Sequence, residues 1–366
     1  MAAINAPVKF FLGANTPNGF VGFTDDLYDV GWQAYLIKSG PGTGKSTLMK
    51  RVYERLAELS IEGEAICCSS DPSSLDGVRF PQLKLCIFDA TAPHVIEPRY
   101  WGAVEQLVPL SVCMDETALR GKANEIVDAT EQNRALHARC RKYLHAVSSL
   151  LRENRRIGEG LVDVDKVRRM AQRIATQEFG ENRGRATVSR RFLSAVTPEG
   201  LITLYETLQT LCPRIYTIED EQGAASRLLL AELLRHAQAA GIETIVCPCP
   251  LAPEEGPEHL LFPTVGVGFT TSNTFHKADF PVYRRIHATR FMDAEALRGT
   301  RQRQAFNRRA AGELLEQART LAAEAKTVHD TMESYSIAAM DWEQAAAMGE
   351  AIVQVFVDAA RNYRRE

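Results

Sequence analysis

The sequence contains no apolar run long enough to cross a membrane, for which a helix needs about 20 residues. Residues 1–20 lack a positive start followed by a long apolar core, so they do not read as a secretory signal, and the expected location is the cytoplasm. Neither sign of charge is in excess: 43 Lys and Arg stand against 46 Asp and Glu, a formal net charge of −3. That balance gives no general reason to expect a nucleic acid or an anionic membrane as partner, although a local basic groove stays open. The eight cysteines are scattered, and reduced thiols are the default without a signal peptide. Cys247 and Cys249 are candidate metal ligands, but no second pair stands at zinc-finger spacing. The guanine-reading string Asn-Lys-x-Asp is missing; its nearest approach is His276-Lys277-Ala278-Asp279. The Leu-Ser-Gly-Gly signature of transporter ATPases is missing too, which argues against that class.

What is present is an ordinary globular composition, 45% hydrophobic and 24% charged, over 366 residues, enough for two domains. The chain repeats itself. Phe11-Leu12-Gly13-Ala14-Asn15-Thr16-Pro17-Asn18-Gly19 returns 181 positions later as Phe192-Leu193-Ser194-Ala195-Val196-Thr197-Pro198-Glu199-Gly200. Met114-Asp115 with Ala118-Leu119-Arg120-Gly121 returns 178 positions later as Met292-Asp293 with Ala296-Leu297-Arg298-Gly299. Two blocks in the same order and near one offset imply a tandem duplication, with domains at 1–184 and 185–366. Each copy opens with an extended segment and a Thr-Pro-x-Gly turn. A short apolar strand, a loop and an amphipathic helix follow. The helix stripes are Leu48, Met49, Val52, Leu56 and Leu59 in one copy, and Leu229, Leu230, Leu233, Leu234 and Ala237 in the other. Second strands are expected at 64–68 and 243–247, and third strands at 83–88 and 264–269. Strands alternating with helices predict an α/β fold with a parallel sheet. Charged residues 115–155 and 293–334 predict long helical inserts, as hairpins, with mostly solvated faces.

The chemistry sits in the first copy. Tyr35-Leu36-Ile37-Lys38 runs into Ser39-Gly40-Pro41-Gly42-Thr43-Gly44-Lys45-Ser46-Thr47 and then the helix. The phosphate-binding pattern is G-x-x-x-x-G-K-[ST]; here serine replaces the first glycine. Glycines allow the backbone to aim successive N–H groups into one anion nest, and the helix adds its positive N-terminal end. Lys45 supplies a mobile charge for the β- and γ-phosphates, and Ser46 a hydroxyl for Mg²⁺. The expected ligand is therefore a nucleoside triphosphate with Mg²⁺, ATP by default. The matching stretch of the second copy is Asp220-Glu221-Gln222-Gly223-Ala224-Ala225-Ser226-Arg227. It keeps one glycine, loses the lysine and adds carboxylates, so this degenerate copy is expected to bind no nucleotide.

An apolar strand ending Leu85-Cys86-Ile87-Phe88-Asp89 matches the Walker B pattern and makes Asp89 the second Mg²⁺ candidate; Thr271 stands at the matching place in the other copy. Asp89 follows Lys45 by 44 positions, a compact spacing that suits small kinases. Asp71 and Asp76, in the run Cys68-Ser69-Ser70-Asp71-Pro72-Ser73-Ser74-Leu75-Asp76-Gly77, are candidates for positioning water, Mg²⁺ or a substrate hydroxyl; the competing reading is a capping loop. Ala90, not glutamate, follows Asp89, so no obvious water-activating base stands beside it. His94 and Glu97 are the nearest substitutes, but His276 in the degenerate copy favours a structural histidine. Arg120 and Arg298, present in both copies, read as helix-packing or capping residues rather than as fingers to a phosphate.

Residues 11–19, the loop 39–46, the run 68–77 and Phe88-Asp89-Ala90-Thr91-Ala92-Pro93-His94 together resemble an uncharacterised bacterial family of tandem P-loop ATPase-like proteins, widespread in Firmicutes-type bacteria. The resemblance covers essentially the whole chain and implies ATP binding and hydrolysis, with no settled substrate or pathway. Members often keep a phosphate loop in both halves, and this chain departs from that. The leading expectation is a slow Mg²⁺-dependent ATPase acting as a switch, with a nucleotide-free second half. The alternatives are a small-molecule kinase and a non-hydrolysing nucleotide sensor that docks a protein partner.

Overall fold

The computed structural model describes residues 6–180 and 184–364. Residues 181–183, just before the expected junction, lie outside it. The first sheet carries β1 (Lys9–Phe11), β4 (Gln33–Ile37), β5 (Glu64–Cys67), β6 (Leu75–Phe80), β7 (Leu85–Asp89) and β8 (Glu105–Val108), in the order β1-β5-β6-β7-β4-β8. The second carries β9 (Val188–Arg190), β12 (Arg214–Glu219), β13 (Thr244–Pro248), β14 (Pro257–Phe262), β15 (Val267–Ser272) and β16 (Arg284–His287), in the order β9-β13-β14-β15-β12-β16. Taken by place in the chain, the two strand orders are the same. Two small hairpins, β2 (Gly13–Thr16) with β3 (Gly19–Gly22) and β10 (Ser194–Thr197) with β11 (Gly200–Thr203), carry the repeated Thr-Pro-x-Gly turns. In each, the threonine hydroxyl donates to the carbonyl of a left-handed glycine, Thr16 to Gly19 at 2.7 Å and Thr197 to Gly200 at 3.0 Å.

The sheets are mixed, which corrects the expectation of parallel pairing. β6 runs antiparallel to both β5 and β7, and β14 antiparallel to both β13 and β15. The extra strands grow out of segments whose Ser, Asp, Pro and Gly content reads as loop. Gly77 shows why such a residue is tolerated in β6: a side chain there would meet the Phe88 ring at 2.1 Å, so the ring of the neighbouring strand fills its place. The third strand of the second half begins three residues later than expected, because Pro263 and the left-handed Gly266 complete a turn first.

Helix α1 (Lys45–Glu58) buries Leu48, Met49, Val52 and Leu56 against the first sheet. The charged segments form single helices rather than hairpins of their own. After the short α2 (Glu116–Arg120) comes α3 (Ala123–Glu159), 37 residues without a break, and then α4 (Val164–Glu178). In the second half α5 (Tyr205–Leu211) and α6 (Ala225–Ala239) precede α7 (Ala294–Ala338), 45 residues long, and α8 (Trp342–Tyr363).

The compact units do not follow the sequence halves. One unit comprises 1–13, 22–139 and 320–366; the other comprises 14–21 and 140–319. In the first unit α8 packs on α1, and Phe356 lies 5.4 Å from the Tyr35 ring and 6.0 Å from Phe80. Burying such a ring contributes about 2 to 3 kcal/mol. In the second unit α4 packs on α6, Phe179 lies 5.0 Å from Phe262, and the Tyr216 hydroxyl donates to Glu178 at 2.6 Å. Among the described residues no helix is long and apolar enough to cross a membrane.

Candidate functional site

In the first unit the loop 39–46 connects the end of β4 to the first turn of α1. Gly42 and Gly44 take the left-handed φ values of +73° and +86° that other residues avoid. Ser39 is not among the positive-φ residues, which explains why serine is accepted at the pattern's first glycine. The Thr43 hydroxyl donates to the Gly40 carbonyl at 3.0 Å and closes the loop on itself. The N-cap residue of α1, Gly44, has no side chain to cap the helix start, and such a helix N-terminus is a common place for an anion.

Lys45 bends back over the loop, its Nζ 2.5 Å from the Gly40 carbonyl, 3.2 Å from that of Ser39 and 3.5 Å from Asp89 Oδ2. The structure thus brings Lys45 and Asp89 together, as the motif reading required. Thr91 joins the two segments. Its hydroxyl donates to the Ser39 carbonyl at 2.9 Å, and its N–H donates to Asp89 Oδ1 at 2.9 Å. Ser46 Oγ accepts the Leu75 N–H at 2.9 Å. A hydroxyl oxygen so engaged keeps its own proton and a second lone pair.

Asp71 is engaged in a local turn. It accepts from the Ser73 N–H and hydroxyl and from the Ser74 hydroxyl, and it lies 3.6 Å from Lys326 Nζ. Burial raises its pKa, but the hydroxyl donors and Lys326 outweigh that and leave it below the usual range. Glu97 is exposed and paired with Lys38 at 2.6 Å. Ala90 is buried. Arg120 is exposed beside Glu116, so it packs against no core. The Cys247–Cys249 pair enters no cluster of metal-ligand spacing among the described residues.

His94 and Asp76 are both buried, with Nε2 3.1 Å from Asp76 Oδ2. Burial pulls the His94 pKa down, but the Asp76 charge prevails and raises it. Burial, then the same charge, push the Cys68 thiol well above its ordinary value.

Sequence reading missed the contribution of α7. Its backbone at Glu333 lies so close to Gly42 that a side chain on the glycine would meet the Glu333 carbonyl at 2.6 Å. Trp342 lies against Gly44. Nothing local in residues 320–342 signals this contact.

In the second unit the matching loop satisfies itself. The buried Asp220 carboxylate accepts from the Gln222 N–H at 3.0 Å and the Ser226 N–H at 2.8 Å. A protein carboxylate thus takes the donors that an anion would use. Beside it Glu255 is ringed by Arg152 at 2.9 Å, Arg227 at 3.4 Å and Arg155. The remaining cavity, about 80 Å³, has room for only a few waters.

No family model, curated protein or solved structure matches this chain.

Proposed function

We propose that the first unit is a P-loop nucleotide-binding domain that takes Mg²⁺–ATP and turns it over slowly, and that the second is its duplicated, nucleotide-free counterpart. The observation that supports this best is the contrast between two helix N-termini. α1 starts behind a loop with two left-handed glycines, whereas at the start of α6 the Ser226 N–H is taken by the Asp220 carboxylate. The shared strand order supports the duplication.

The residues fit the ligand. The N–H groups around Gly42, Thr43, Gly44, Lys45, Ser46 and Thr47 suit phosphate oxygens. Lys45 exchanges loop carbonyls for β- and γ-phosphate oxygens, a stronger charge-assisted contact. Ser46 and Asp89 would hold Mg²⁺, which neutralises charge between the phosphates. Slow turnover follows from the absence of a carboxylate directly after Asp89, where Ala90 is buried, and from the pairing of Glu97 with Lys38.

The test is purified protein with Mg²⁺–ATP, with nucleotide binding, ADP and phosphate followed together. Equal amounts of ADP and phosphate, lost in Lys45→Ala, support the ATPase. ADP appearing only with an added metabolite would replace it with the kinase reading, and binding without turnover with the sensor. Failure of the wild type to bind any nucleotide would overturn the proposal.

A further inference from the structure

Beside the loop 39–46, at the same edge of the first sheet, three side chains of different chemistry converge. Cys68 follows the end of β5, Asp76 lies near the start of β6, and His94 follows β7. One donor atom from each lies within 4.8 Å of the other two. Asp76 is next to Leu75, whose N–H binds Ser46, and Gly77 pairs with Phe88, so Asp76 and Asp89 stand at one end of adjacent strands.

Asp76 is 95% buried, and its Oδ2 accepts no hydrogen bond although His94 Nε2 is only 3.1 Å away. Two ligands on one tetrahedral ion, each bonded at about 2.0 Å, sit about 3.3 Å apart without pointing at each other. A buried carboxylate oxygen without a hydrogen-bond donor is costly, and a bound cation would satisfy it.

We infer that Cys68, Asp76 and His94 form a binding site for a single transition-metal ion of the zinc class, separate from the Mg²⁺ that accompanies the nucleotide. The donor set decides the class: one sulfur, one imidazole nitrogen and one carboxylate oxygen suit Zn²⁺ or Co²⁺. Mg²⁺ takes oxygen ligands only. Three protein ligands leave a fourth position for water or a phosphate oxygen, the arrangement of reactive rather than purely structural zinc sites. The site stands on these three residues and does not depend on nucleotide binding.

The second unit supplies an internal comparison. Cys249, Glu258 and His276 hold the corresponding places, but Thr271, which replaces Asp89, bonds both His276 Nε2 at 2.9 Å and Glu258 Oε1 at 3.3 Å. There the hydroxyl satisfies the pair, and the three residues are not a metal cluster of the same spacing.

The experiment is titration of metal-stripped full-length protein with Co²⁺, followed by absorption and by metal analysis after removal of excess ion. One equivalent of Co²⁺ per chain is expected, with a thiolate-to-cobalt band in the near ultraviolet and intense tetrahedral bands in the visible. Zn²⁺ should displace it with loss of colour. Cys68→Ser should abolish the thiolate band, while Cys249→Ser should leave it unchanged. Wild-type protein that binds no Co²⁺ or Zn²⁺ at micromolar concentration, or binds Co²⁺ without a thiolate band, overturns the inference. Because the wild-type spectrum is decisive alone, an unfolded variant does not shield it. Mg²⁺–ATP binding, measured on the same samples, separates failure of this site from failure of the nucleotide reading.

Discussion

Asp220 Oδ2 accepts the backbone N–H of Ser226 at 2.8 Å, so the second unit places a carboxylate of its own at the start of α6. Asp220→Ala should therefore cost about 1 to 3 kcal/mol, the usual penalty for leaving a buried donor unpaired. Nucleotide affinity should not appear in its place, since Ser226 stands where Lys45 does in the first unit. Denaturant unfolding and a nucleotide-binding assay on this variant check both halves of the statement.

Two glycines of the loop 39–46 should respond differently to alanine. Gly42→Ala forces a side chain into the left-handed region and against the Glu333 carbonyl at 2.6 Å. Strain of about 1 to 3 kcal/mol and severe loss of ATP affinity are expected. At Gly40 the nearest atom to a new side chain is Ser336 Oγ at 3.8 Å, and φ is not positive, so Gly40→Ala should stay close to wild type. Parallel melting curves and ATP titrations of the two variants read the contrast; equal behaviour would contradict it.

Lys45→Ala removes a charged donor worth about 2 to 3 kcal/mol to a phosphate. ATP binding should weaken by a factor on the order of 100. Asp89→Asn should act through the metal instead: affinity without Mg²⁺ should be near wild type, and the gain on adding Mg²⁺ should be lost. Isothermal titration with and without Mg²⁺ separates the two effects.

The second unit should lose stability in mild acid through His259. Burial holds this imidazole down to about 4, and the charge of His276 acts the same way, while Glu258 opposes them. A histidine lowered in the folded state takes up its proton first in the unfolded chain. Its contribution is therefore complete above about pH 6.5, declines as pH falls towards about 4, and amounts to up to about 3 kcal/mol. His276 is raised and works in the opposite direction. His259→Gln should flatten the fall in melting temperature between pH 6.5 and 4, whereas an unchanged slope would assign the acid loss elsewhere.

The placing of Lys45 beside Asp89 was legible in the sequence because it depends on two local patterns that lie on adjacent strands. Ser39 looked like a defect in the motif, yet its backbone conformation shows that the position never required glycine. β6 was hidden because Ser73, Ser74, Asp76 and Gly77 give no apolar alternation, and the Phe88 ring compensates for the glycine from the next strand. The approach of Glu333 and Trp342 to the loop was beyond local reading, since it joins positions about 290 residues apart by packing alone. In the sequence Asp220 implies repulsion; the structure adds that its carboxylate already uses the N–H groups of Gln222 and Ser226.

Residues 320–366 belong to the same compact unit as the loop 39–46, and α8 packs on the apolar face of α1. This unit is therefore discontinuous in the chain, and it can close only after residues 320–366 have been made, behind the whole of 140–319. Until then Leu48 and Tyr35 lack the partners that Gly349 and Phe356 provide, and the nascent chain carries exposed apolar surface through most of its synthesis. The loop 39–46 thus gains its neighbours Glu333 and Trp342 only after the intervening segment 140–319 has been synthesised.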